Sequence, residues 1–202
     1  MLSSNTQLNM FPAKKTIRLF FSRKVCLTIL FTIALSIGSG LHYTESSLAE
    51  SSNYAGYLGI QEYPKPAEAK DFTLKDVTNK KINLKSYRGK VVMLNFWATW
   101  CNPCRMEMPS MEKVYQQFKD KGFVILSVAS GDSKEDVSGF MKEYKLTFPA
   151  LLDYDYVVSD NYKIWAVPTT YFINAKGKII GKVQGSRDWN TRAATQYISS
   201  MF

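Results

Sequence analysis

Seven consecutive residues, Val91-Val92-Met93-Leu94-Asn95-Phe96-Trp97, hold a single polar side chain among them. A run this short and this apolar, bounded by Gly89 and Pro103, reads as a central strand covered on both faces. A strand wet on one side would instead alternate apolar and polar residues. Beyond the run, Met108, Met111, Val114, Tyr115 and Phe118 recur at helical spacing, and Gly122 ends the segment. Phe123 to Ala129 is a second buried strand. A strand–helix–strand unit of this kind makes a right-handed parallel crossover. Helices must then cover the sheet.

The flanks extend the pattern. Phe72 and Leu74, then Ile82 and Leu84, alternate with polar residues around the turn-rich Val77-Thr78-Asn79-Lys80, which predicts a β-hairpin. Asp132 or Ser133 is placed to cap a helix striped by Val137, Phe140, Met141 and Tyr144. Thr169–Asn174 and Lys178–Gln184 form a second hairpin around Gly177. A last helix places Trp189, Ala193, Tyr197, Ile198 and Met201 on one face. The predicted order is hairpin, strand, helix, strand, helix, hairpin, helix. This is a three-layer α/β fold, with a mixed sheet and helices on both faces.

Charge and histidine content exclude several chemistries. The formal net charge is +9. Residues 1–49 contribute +4 of it, from Lys14, Lys15, Arg18, Arg23 and Lys24 against Glu45. Lys80, Lys81, Lys85, Arg88 and Lys90 form a further basic stretch, read as a solvated hairpin edge or a surface for an anionic lipid or acidic partner. No RNA-recognition motif or zinc-finger spacing accompanies it, so nucleic acid is not an expected partner. The one histidine, His42, precedes the folded part. Ser-His-Asp and Cys-His nucleophile systems and His-based metal sites are therefore excluded there.

The N-terminal segment has the layout of an export signal. Basic residues 14–24 precede a mostly apolar run from Val25 to Gly38, with Cys26 as a small hydrophobe within it. The run is short for a span, which needs about twenty residues. Ser47-Leu48-Ala49 offers a cleavage site, though far from the run, so an uncleaved anchor stays open. Both readings export everything from about residue 50 onward, because the basic residues hold the N-terminus in the cytoplasm. The expected division is a signal peptide or anchor at 1–49, a linker at 50–65 and a domain at 66–202. Residues 44–70, with Pro64 and Pro66, read as a tether.

Cys101 and Cys104 fall where the buried strand gives way to the helix. The first turn of a helix carries unpaired N–H groups and a partial positive charge. A thiolate on Cys101 is stabilised there, with its pKa below the free value of about 8.5. Thiolate is the species that attacks disulfides. Cys104, three residues on, is placed to resolve the mixed disulfide. Pro103 suits the first helical turn. A zinc site would need two more ligands, and a structural disulfide closing so short a loop gains little stability. The context favours redox chemistry.

Asn95-Phe96-Trp97-Ala98-Thr99-Trp100-Cys101-Asn102-Pro103-Cys104 resembles the active-site stretch of thioredoxins. The continuation Arg105-Met106-Glu107-Met108-Pro109 resembles the TlpA/ResA-like branch of membrane-tethered thioredoxins. The likeness covers about residues 66–200. It extends to Asp71-Phe72-Thr73-Leu74 and Gly89-Lys90-Val91-Val92, to a central insert at 130–163, and to Val167-Pro168-Thr169-Thr170, similar to the family's cis-proline loop. The resemblance implies a thioredoxin-like fold with an N-terminal β-hairpin and that insert. It implies a cis Val167–Pro168 bond beside the cysteines, with the Val167 backbone pairing with an extended substrate. Trp100, Val167 and Pro168 are the implied substrate-binding residues, although Trp97 and Trp100 read by themselves as packing residues. Glu107 is implicated in handling protons, as a partly buried carboxyl with a raised pKa could. Asn95 departs from thioredoxin, which carries a buried aspartate there. Pro109 is expected to kink the helix.

The activity so implied is thiol–disulfide exchange through Cys101 and Cys104, without metal or cofactor. The expected protein is a monomer that reduces disulfides of exported proteins, apocytochrome c among them, with electrons from a membrane thiol-transfer protein. Asn-Pro between the cysteines leans towards the reducing side. A thiol peroxidase and a non-catalytic copper- or thiol-binding or chaperone module are the alternatives.

Overall fold

The structure is a computed structural model that describes residues 53–202. The leader, with its apolar run, Ser47-Leu48-Ala49, Cys26 and His42, lies outside the described residues.

An eight-stranded mixed sheet organises the chain. Its strands are β1 (Gln61–Glu68), β2 (Thr73–Asp76), β3 (Lys81–Asn83), β4 (Val91–Trp97), β5 (Phe123–Ser130), β6 (Ala150–Asp153), β7 (Thr169–Ile173) and β8 (Lys178–Gln184). They lie in the order β1-β8-β7-β4-β5-β6-β2-β3. β4, β5 and β6 run parallel, and the remaining pairings are antiparallel.

The apolar runs are explained by their position. All seven residues of β4 and all eight of β5 are buried. Val91, Met93 and Trp97 enter one core, and Val92, Leu94 and Phe96 enter the other. With both faces covered, no alternation is left to see in the sequence.

Helices α1 (Asn102–Phe118), α2 (Lys134–Glu143) and α4 (Arg192–Ser199) all pack their apolar stripes into the first core. The opposite face carries α3 (Val157–Asn161), the 3-10 turn Leu84–Tyr87, and Phe72, Tyr162 and Tyr171. Helices do cover both faces, but unevenly. Trp189 is buried but precedes the Thr191 cap of α4, so it packs beside the helix and not on it. The 130–163 insert contributes α2, β6 and α3, and β6 extends the parallel sheet beside β5.

The tether expectation needs correction. Residues 53–58 are helical, Ala55, Leu58 and Ile60 are buried in the first core, and Gln61–Glu68 pair with β8. The folded unit thus extends N-terminal of residue 66. β1 is held by its backbone and only Tyr63 is even half-buried, so it carries no apolar alternation. Pro64 and Pro66 fall in the break in register between Glu62 and Ala67, where a missing N–H removes no ladder bond.

Lys80, Lys81, Lys85, Arg88 and Lys90 are exposed, with Lys85 near Asp71 and Arg88 paired to Glu68. No helix among the described residues is long and apolar enough to cross a membrane.

Candidate active site

The carboxyl end of β4 delivers the cysteines. Residues 98–100 turn the chain, and α1 begins at Asn102 with Pro103 in its first turn. Cys101 is the N-cap, and its Sγ accepts the backbone N–H of Cys104 at 3.2 Å. That is the bond a serine or aspartate cap would make, with sulfur as the acceptor. The two cysteines are disulfide-bonded, with Cα atoms 5.3 Å apart. Cys104 is fully buried and Cys101 is 4% exposed, so of the two only Cys101 reaches solvent.

Two contacts hold the turn that leads to Cys101. The backbone N–H and the hydroxyl of Thr99 both donate to the buried carboxylate of Asp132, at 2.7 and 2.8 Å. Arg105 donates to the Thr99 carbonyl at 3.3 Å, and its guanidinium lies against the Phe140 and Tyr144 rings. The α2 cap is Ser133, whose hydroxyl accepts from Asp136 N–H. Asp132 is thereby free to clamp the turn.

The Val167–Pro168 bond is cis, as the resemblance implied. Cys101 Sγ lies 3.7 Å from the Val167 carbonyl oxygen. Cys101, Cys104, Val167 and Pro168 therefore lie together, with Val167 half-buried. Trp100 departs from its packing role: its ring is 71% exposed at the site's flank, whereas Trp97 is buried against Phe140.

Glu107 lies three residues beyond Cys104 on α1 and is 2% exposed. Its carboxyl accepts from Asn95 Nδ2 at 2.9 Å, from Arg187 N–H at 3.2 Å and from Trp189 Nε1 at 3.1 Å. Burial pushes its pKa up to about 7, against the opposing pull of those donors and of the Arg187 charge. Asn95 also donates to Thr170 at 3.0 Å, tying the carboxyl to the strand that follows Pro168. Glu107 can thus exchange a proton near neutral pH.

Sequence reasoning passed over Asp132, Thr99, Arg187 and Trp189 as site residues. Asp132 was accessible in principle, since it follows the carboxyl end of a strand parallel to β4, where functional groups of open α/β sheets converge. Arg187 and Trp189 reach Glu107 across some eighty residues, and no local pattern marks them. Among the described residues, no group of three or more His, Cys, Asp or Glu side chains converges as a metal site.

Residues 66–182 match the model of the AhpC/TSA family. The chain is 36% identical over 173 residues to the thiol-disulfide oxidoreductase ResA of Bacillus subtilis, covering 86% of this chain and 88% of that protein. It is 45% identical over 122 residues to the ResA protein of Oceanobacillus iheyensis, covering 58% and 64%. Among solved structures, a thiol:disulfide interchange protein of the thioredoxin family from Chlorobium tepidum superposes with a TM-score of 0.59 at 28% identity, covering 67% of this chain and 99% of that one. A buried cysteine pair at a helix cap, a cis-proline loop against its sulfur and these likenesses lead to one assignment: the chain belongs to the AhpC/TSA family and, within it, to the ResA-like thiol–disulfide oxidoreductases of thioredoxin-like fold.

Proposed function

We propose that this oxidoreductase works outside the cytoplasm as a reductase of disulfides in exported polypeptides, apocytochrome c among the candidates, and takes its electrons from a membrane thiol-transfer protein. The observation that carries the reading is the Cys101 sulfur, held by the Cys104 N–H at 3.2 Å and 3.7 Å from the Val167 carbonyl.

In the reduced protein, the Cys101 thiolate attacks one sulfur of the substrate disulfide. A mixed disulfide forms, and the other substrate sulfur leaves as a thiolate that takes up a proton. Cys104, losing its proton, then attacks Cys101 Sγ. The second substrate thiol is released and the Cys101–Cys104 disulfide closes. Two electrons and two protons pass to the substrate, and the donor restores them. Glu107, with a pKa near 7, is suited to take the Cys104 proton. An extended substrate pairs with the half-buried Val167 backbone, which brings its sulfur to Cys101 and away from the fully buried Cys104. The basic run ahead of Val25 supports export.

The test is the Cys104→Ala variant of the full chain, expressed in its native host. Cys101 should hold its substrate as a stable mixed disulfide, identified by mass spectrometry as an exported protein. A cytoplasmic partner, or no partner at all, would overturn the reading.

A further inference from the structure

Beside the cysteine pair lies an open groove of about 170 Å³, whose lining includes Trp100, Ser130, Tyr156, Ser159, Trp165 and Val167. We infer that this groove takes one aromatic side chain bearing a hydrogen-bond donor, a tryptophan or tyrosine, carried by the polypeptide substrate two residues from its cysteine. The inference rests on the reductase reading above and names the substrate feature that the site selects.

Size comes first. A cavity of about 150 Å³ holds one benzene ring. At about 170 Å³ and open on one side, the groove has room for one aromatic side chain. Its rim is aromatic: Trp165 is 90% exposed, Trp100 71% and Tyr156 47%. Isolated exposed aromatics need no explanation, but three converging on one opening mark a binding surface. No lining residue is charged.

The floor has a polarity that can be worked out. Asp153, 2% exposed, accepts from Val158 N–H at 3.1 Å, from Ser159 N–H at 2.7 Å and from the Ser159 hydroxyl at 2.7 Å. A hydroxyl has one hydrogen, and that of Ser159 is thereby used. In the 2.8 Å contact between Ser130 Oγ and Ser159 Oγ, Ser130 must then be the donor. Its own hydrogen is also spent, so Ser130 offers the groove only lone pairs. The floor accepts a hydrogen bond and cannot give one. An indole N–H or a phenol O–H is the group these two serines can accept from.

The wall is held at some cost. Tyr156 has φ +58°, a left-handed conformation unusual for a bulky residue. Gly131 has φ +76°, and the Tyr156 hydroxyl occupies the space its missing Cβ would fill. These two backbone positions together set the Tyr156 ring where it lines the groove.

Continuity with the cysteines identifies the occupant. Trp100 precedes Cys101, and the Val167 carbonyl lies 3.7 Å from its sulfur, yet both also line the groove. In an extended chain, side chains two residues apart share a face at about 7 Å. A substrate whose cysteine meets Cys101 therefore presents the residue two positions away on that same face.

The experiment measures kcat/KM for reduced full-length protein on four disulfide-linked peptides. They differ only at the position two residues from cysteine, which is Trp, Phe, Arg or Ala. The Trp peptide should exceed the Ala peptide about tenfold and the Phe peptide about fivefold. Ser130→Ala should bring Trp down to Phe while both stay above Ala. Trp165→Ala should collapse the Trp-to-Ala ratio. These are ratios within one variant, so a general loss of folding does not imitate them. Equal values for all four peptides, or Arg ranked first, would overturn the groove while the reductase reading stands. In parallel, the Trp peptide with serine for cysteine is titrated calorimetrically. If it binds the wild type and not Trp165→Ala while no peptide is reduced, the reductase reading fails and the groove remains. If it binds both proteins equally, the groove assignment is wrong.

Discussion

The sulfur of Cys101 accepts the backbone N–H of Cys104 at 3.2 Å, so one cysteine caps the helix that carries the other. The cap joins the two chemical roles. Negative charge on Cys101 is favoured by that N–H and by the helix dipole, while Cys104 sits one turn inside, shielded from solvent. In the proposed exchange, Cys101 is therefore the sulfur that meets a substrate and Cys104 the one that resolves the mixed disulfide.

Alkylation of the reduced protein tests the cap directly. The iodoacetamide reaction of Cys101, followed by mass spectrometry across pH, should rise with a midpoint below about 8.5, with Cys104 labelled far more slowly. A midpoint at or above that value would mean that the cap does not stabilise the thiolate.

Asp132 acts on the turn ahead of the cysteines. In Asp132→Ala, the Thr99 N–H and hydroxyl both lose their acceptor in a partly buried place. Urea unfolding of the oxidised protein should show a loss of about 1–3 kcal/mol. Asp132→Asn, which keeps one acceptor oxygen, should lose less. A loss below about 0.5 kcal/mol in the alanine variant would show that the clamp adds nothing.

What the sequence disclosed follows from what periodicity can carry. β4, β5 and the stripes of α1 and α2 are legible because burial forces apolar residues into a run or a helical period. Residues Ala150–Asp153 escaped because four buried residues after a proline look like any short apolar stretch. β1 escaped because it is held by backbone bonds and shows the solvent polar side chains. In the site, Cys101 and Cys104 declare themselves by spacing. Glu107 was named through resemblance, but the groups that fix its proton affinity come from β4 and from the segment before α4. Trp100 was open to misreading because a tryptophan's usual place is a core, whereas here the ring stands exposed beside the sulfur.

Glu107 makes stability depend on pH. Its folded pKa, raised by burial to about 7, lies above its ordinary 4.5. The folded state therefore holds the proton more firmly than the unfolded one. The contribution is complete below about pH 4.5, declines as pH rises through 7, and is gone above that. The oxidised protein is the right sample, since its cysteines do not titrate. Relative to Glu107→Gln, wild type should lose up to about 3 kcal/mol between pH 4.5 and 8. Parallel stability curves for the two proteins would contradict the buried, raised carboxyl.

Asn95→Asp turns a donor to Glu107 into a second acid. Asn95 Nδ2 now gives one hydrogen to Glu107 at 2.9 Å and another to Thr170 at 3.0 Å. An aspartate in that place faces Glu107 with oxygen against oxygen. Below neutral pH the two carboxyls can share a proton, and the variant should stay close to wild type. At pH 8 both would have to ionise in a buried site, or one would have to keep its proton against the solvent. A loss of at least about 3 kcal/mol relative to wild type is expected there. The double variant Asn95→Asp with Glu107→Gln should recover much of it, because the amide and the carboxylate have then exchanged places and a donor again meets an acceptor. If Asn95→Asp matched wild type at pH 8, the Asn95–Glu107 bond would not be what sets the proton affinity of the carboxyl.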